Sequence, residues 1–129
     1  MNTAKSWQFA AAGALGVAAM MMTELASAHA GLVKSVPGSR ASLSRAPAQL
    51  ELCFNEEIEL KFSTVQLLAP DGAAVPVGAS GFGSSKRCLA ASLPALHQVG
   101  VYTVKYKVLS QDGHVVEYGY TFTLRPAAE

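Results

Sequence analysis

Two long stretches toward the C-terminal end alternate strictly between apolar and polar positions. Tyr102, Val104, Tyr106 and Val108 fall on one side, with Thr103, Lys105 and Lys107 on the other. Val116, Tyr118, Tyr120, Phe122 and Leu124 then share a side opposite Glu117, Thr121 and Thr123. A period of two belongs to a half-buried strand and not to a helix, whose period is 3.6. Asp112-Gly113 between the two runs is a hairpin signal. Earlier, Leu50, Leu52 and Phe54 alternate with Glu51 and Cys53, which predicts another strand. Residues 62–68 are β-branched and aromatic and stop at Pro70-Asp71-Gly72, where Pro presets φ and Gly accepts a positive one. Residues 74–77 return as a short strand. Residues 78–85, with three glycines and three serines, read as a loop, and residues 86–93 resume a short apolar pattern. Many short strands, frequent turns and no helical period predict a single all-β sandwich domain.

The N-terminal end follows a different rule. Lys5 precedes an unbroken apolar run over residues 9–22, and Ala26-Ser27-Ala28 follows. A basic start, an apolar core and a small-x-small site make a secretory signal peptide over residues 1–28. The apolar run is shorter than the roughly 20 residues of a spanning helix. Cleavage after Ala28 leaves a domain of residues 29–129 with no membrane span, exported and, by expectation, periplasmic.

Processing changes what the composition means. All four methionines and the single tryptophan lie in the first 22 residues, so the mature chain keeps neither. The three histidines, His29, His97 and His114, stay. The chain carries 10 Lys and Arg against 9 Asp and Glu, and the leader removes one of each, Lys5 and Glu24. A balance so close to neutral argues against a nucleic-acid footprint or a polybasic membrane surface. Export permits a disulfide between Cys53 and Cys88, worth about 3–4 kcal/mol by chain entropy. Free buried thiols are a second reading and soft-metal ligation a third, since neither cysteine stands in a CxxC pair.

His29 is the most consequential residue for chemistry. As the first residue of the processed chain it offers a metal both its α-amine and its ring Nδ1. Asp112 and His114, two apart in an extended chain, project from one face. Together these groups supply three nitrogens and one oxygen, a tetragonal set suited to Cu(II). Zinc favours a tetrahedral arrangement, and Cu(I) favours sulfur. Each element also has a plainer reading: Asp-Gly serves any hairpin, a histidine after a turn is usually solvated, and spacing does not bring His29 to His114. His97 has only the plain reading. A hydrolase built from Ser110, Asp112 and His114 fails, because all three would stand in a row on one strand face without a nucleophile elbow.

At these residues the chain resembles the CopC-type periplasmic copper-binding proteins. The resemblance rests on His29-Ala30-Gly31-Leu32, Ser35-Val36-Pro37-Gly38-Ser39 and Leu50-Glu51-Leu52-Cys53-Phe54-Asn55-Glu56. It continues in Gly100-Val101-Tyr102-Thr103-Val104, Ser110-Gln111-Asp112-Gly113-His114 and Thr121-Phe122-Thr123. It implies a Greek-key sandwich of the immunoglobulin or cupredoxin kind, with a Cu(II) site made by the His29 amine and imidazole, Asp112 and His114. Glu56 falls where that family often has an acidic residue, able to hydrogen-bond a ligand or the amine. The best-known form of the family has a methionine-rich Cu(I) loop. The matching stretch here, residues 68–85, has no methionine, so the resemblance is to the single-site Cu(II) form. The two cysteines and Tyr106, in place of a common tryptophan, are further departures.

The function implied is binding, buffering or delivery of Cu(II) in copper homeostasis or resistance, without turnover, by a monomer. An inner-membrane copper transporter of the CopD type is the partner the resemblance implies. Two alternatives stand beside it. A histidine-brace copper oxygenase needs an open coordination position, which Asp112 would crowd. A metal-free interaction module would leave His29 far from Asp112 and His114.

Overall fold

The two strongest alternations become the two longest strands. In a computed structural model describing residues 30–127, β8 (Gly100–Leu109) and β9 (Val115–Leu124) pair antiparallel along their whole length. Before them come β1 (Leu32–Val36), β2 (Ser42–Leu43), β3 (Gln49–Phe54), β4 (Thr64–Leu68), β5 (Ala74–Val75), β6 (Gly81–Phe82) and β7 (Cys88–Ser92). One sheet has the order β1-β3-β7-β6 and the other β2-β9-β8-β4-β5. The chain crosses between sheets repeatedly, as Greek-key connections require. All pairings are antiparallel except that of β2 with β9. The signal peptide expected over residues 1–28, with its cleavage site, and His29 lie outside the described residues.

The core is what the alternation demands. Leu50, Leu52 and Phe54 from β3 and Leu89 from β7 face Val65, Leu67, Tyr102, Val104, Val108 and Phe122 across the sandwich, all buried. Tyr102 stacks on its register partner Phe122 with centroids 5.2 Å apart, and its hydroxyl donates to the Gln98 carbonyl at 2.7 Å. Phe54 meets Tyr106 edge to face at 5.5 Å and so joins the two sheets near the end that carries the β8–β9 turn.

Three expectations need correction. Phe62 belongs to a short 3-10 helix, Leu60–Phe62, and is exposed; the strand starts at Thr64. Within the loop expected at residues 78–85, Gly81 and Phe82 pair with Ala90 and Leu89 as a two-residue edge strand. Tyr118 has the inward parity of β9 yet is 70% exposed. On the edge of β9 away from β8 the neighbour is β2, paired only at residues 123–124, so that edge is uncovered beside Tyr118.

Truncating Phe54 to Ala should cost about 3–5 kcal/mol, because it empties a filled position between the sheets. Val101→Thr, on the exposed outer face of β8, should change stability by less than about 0.5 kcal/mol. Urea unfolding of both variants checks the contrast.

Candidate metal site at the β8–β9 turn

Five residues, 110–114, close the hairpin. Ser110 N donates to the His114 carbonyl and Gly113 N to the Ser110 carbonyl, both at 3.0 Å. Gly113 sits at φ 89°, where a side chain would be strained. The reversal therefore needs the Asp-Gly pair, and it places Asp112 and His114 side by side at the tip.

Ser110 organises the pair from beneath. It is fully buried, and its Oγ donates to Asp112 Oδ1 and lies 3.3 Å from the His114 carbonyl. The His114 backbone N–H also donates to Asp112 Oδ1, at 3.1 Å. Asp112 Oδ2 is left to face His114 Nδ1 at 3.1 Å, with the imidazole 55% exposed and the carboxylate 27%. The Ser110 hydrogen bond, against the opposing effect of desolvation, holds the Asp112 carboxyl below the usual carboxylate range, and the His114 N–H and ring act in the same direction. The hydroxyl of Ser110 is engaged by Asp112 and the His114 carbonyl.

Two other segments are tied to this turn. The β3–β4 connection is held by Gln111 N to the Glu57 carbonyl at 3.0 Å, by Glu59 N to the Leu109 carbonyl at 2.8 Å and by a bridge between Ile58 and Ser110. The start of the described chain is clamped to the end of β3: Gly31 N donates to Asn55 Oδ1 at 2.8 Å, and Asn55 N donates to the Gly31 carbonyl at 3.0 Å. Ala30, the residue after His29, is 1% exposed and borders a 540 Å³ cleft with Val115 and Val116. A second cleft, of 470 Å³, lies between Asn55, Glu56, Arg87 and Asp112.

Asp112 and His114 are thus in contact, and Glu56 borders the same cleft as Asp112. The Glu56 Oε2 atom is buried and has no hydrogen-bond partner among the described residues. An enclosed carboxylate oxygen without a donor is costly. His97 is exposed beyond β7, on another part of the surface. Cys53 and Cys88 are register partners on β3 and β7, bonded as a disulfide. Glu51 accepts from Ser84 Oγ at 3.1 Å beside them.

Two residues gained a role only in three dimensions. Asn55 is the clamp on the N-terminal segment, and nothing in the sequence pairs it with Gly31. Ser110 did leave a signal, the Ser-x-Asp spacing that lets a hydroxyl reach a carboxylate two residues on, but the spacing alone did not separate that role from others.

The CopC domain family matches residues 32–125. Copper resistance protein C of Pseudomonas syringae pv. tomato is 33% identical over 118 residues, covering 86% of this chain and 92% of that protein. Protein YobA of Escherichia coli K12 is 29% identical over 125 residues, covering 96% and 98%. The crystal structure of CopC from Methylosinus trichosporium OB3b superposes with a TM-score of 0.71 at 33% identity, over 78% of this chain and 98% of that one. The match takes in both sheets and the turn that carries Asp112 and His114, and the chain belongs to the CopC family.

Proposed function

We propose that this protein is exported, loses residues 1–28, and binds one Cu(II) in the periplasm through the His29 amine and ring, Asp112 and His114, without catalytic turnover. The observation that carries this reading is the Asp112–His114 pair, locked by Ser110 at a turn whose next residues share a cleft with Ala30. That shared cleft supports an approach of the N-terminus to the pair and counts against a metal-free module. Similarity to a copper resistance protein, and to the copper transport protein CutJ of Bacillus subtilis over 17% of that longer protein, supports copper as the cargo.

The donor chemistry fits copper. With Nδ1 of His114 directed at Asp112 Oδ2, Nε2 is the ring nitrogen that would bind the metal. Each carboxylate oxygen has two lone pairs, so Oδ2 can accept from the imidazole and still ligate. A carboxyl held below its usual range arrives already ionised. The bare Glu56 Oε2 supports a hydrogen bond to the His29 amine or to another group at the metal. A carboxylate beside His114 also occupies the position an oxygenase would leave open, which supports buffering or delivery over oxidation. The acceptor of delivered copper, by this reading, is an inner-membrane transporter of the CopD type, met by a monomer.

Titrating Cu(II) into the chain beginning at His29, followed by EPR, should give one copper per chain and a tetragonal nitrogen and oxygen signal. His114→Ala, or one extra residue before His29, should weaken binding by more than the roughly 10–100-fold that an outer hydrogen-bonding group costs. Glu56→Gln should fall within that roughly 10–100-fold range. Equal affinity with free and extended N-termini would overturn the reading. Binding should also fall on acidification through the amine, whose ordinary pKa is about 7.7–8.0, because the proton and the metal compete for it.

In the metal-free protein, the folded-state pKa of Asp112 lies below its unfolded value. Its carboxylate therefore stabilises the turn above the ordinary carboxylate range, and that contribution is lost as pH falls through the folded-state pKa. Ser110→Ala should move the Asp112 midpoint upward in a carboxyl-carbon NMR titration.

A further inference from the structure

A second group of metal-binding side chains lies on the outer face of the first sheet, sharing no residue with the turn site. The β3–β7 ladder runs from Gln49 against Ser92 to Cys53 against Cys88, where the Cα atoms are 4.0 Å apart. Glu51, two residues before Cys53, projects from the same side of β3. Ligand atoms of Glu51, Cys53 and Cys88 all lie within 4.8 Å of one another. The Gly/Ser-rich loop caps them: Ser84 Oγ is 3.1 Å from Glu51 Oε1 and 3.4 Å from Cys88 Sγ, and Ser85 Oγ is 3.6 Å from the same sulfur. Any side chain at position 83 would run into the Glu51 carboxylate, so Gly83 is what lets the carboxylate lie there.

These two cysteines hold the only sulfur atoms beyond Met22. Soft monovalent copper selects sulfur, so within residues 30–127 this pair is where it would bind. The five register pairs of β3 with β7, over buried Leu50, Leu52 and Leu89, hold the strands together independently of the sulfur–sulfur bond. Reduction therefore leaves two thiols side by side.

We propose that Cys53 and Cys88, with Glu51, form a Cu(I) site that the disulfide closes. A dithiol reductant breaks the Cys53–Cys88 bond, giving up two electrons and two protons to the two sulfurs and leaving as its own disulfide. One Cu(I) then forms a bond to each sulfur and displaces the two thiol protons. Glu51 Oε1, 3.5 Å from Cys53 Sγ and fixed by Ser84, accepts one of those protons on its way to solvent. The oxidised pair has no thiolate to offer and takes no copper.

The test compares the chain beginning at His29 in its oxidised form with the same chain reduced by dithiothreitol and desalted without air. Each is titrated with Cu(I) against a coloured Cu(I) chelator. The reduced chain should withdraw one copper and gain sulfur-to-copper charge-transfer absorption, and the oxidised chain should do neither. Glu51→Gln should weaken uptake by about 10–100-fold. Cys53→Ser/Cys88→Ser should abolish Cu(I) uptake and leave Cu(II) uptake unchanged, which separates this site from the one at the turn. Equal Cu(I) uptake by both redox forms, or loss of the β-sheet circular dichroism on reduction, would overturn the proposal.

Discussion

The pairing of β8 with β9, from Gly100 against Leu124 to Leu109 against Val115, is the constraint on which the rest of this structure depends. Its inward residues supply much of one wall of the core, and stacking of Tyr102 on Phe122 fixes the register from within. A shift of one residue would turn every inward side chain of a strand outward, so register is strongly specified. That same register decides which residues fall in the reversal. Only with Leu109 opposite Val115 does the turn contain Ser110, Asp112 and His114 in the arrangement that aims a carboxylate oxygen at an imidazole nitrogen.

The site is assembled by backbone hydrogen bonds around that turn. Gln111 and Leu109 hold the segment after β3, and Asn55 at the end of β3 holds Gly31. Three stretches far apart in sequence thereby share one end of the sandwich without any long side chain having to reach across it. Phe54 against Tyr106 closes the sheets immediately beside this end. The candidate donors Asp112 and His114 accordingly sit on a stiff frame.

Much of this was legible in the residues because the determining patterns were local. Period-two alternation located β3, β8 and β9, and Asp112-Gly113 located the reversal with its two candidate ligands. The missed elements have identifiable physical reasons. β1 is bulged between Leu32 and Lys34, which breaks the period that would have announced it. β2 and β6 are two residues each, too short for any period to register. Phe62 looked like the start of a strand by propensity, but the chain makes a 3-10 turn first. Tyr118 has the parity of a core residue, and its exposure follows from how little of β9 its edge neighbour β2 covers. Asn55 and Glu51 acquire their roles only through partners 24 and 33 residues away.

The central claim is that a cation binds where the start of the chain meets the β8–β9 turn. The most direct measurement is amide NMR of the isotopically labelled chain beginning at His29, with substoichiometric Cu(II) added. Paramagnetic broadening should appear first at Ala30, Gly31, Asn55 and residues 111–115, while the signals of His97 and Phe82 stay sharp. Broadening centred on His97, or spread evenly over the surface, would contradict the account.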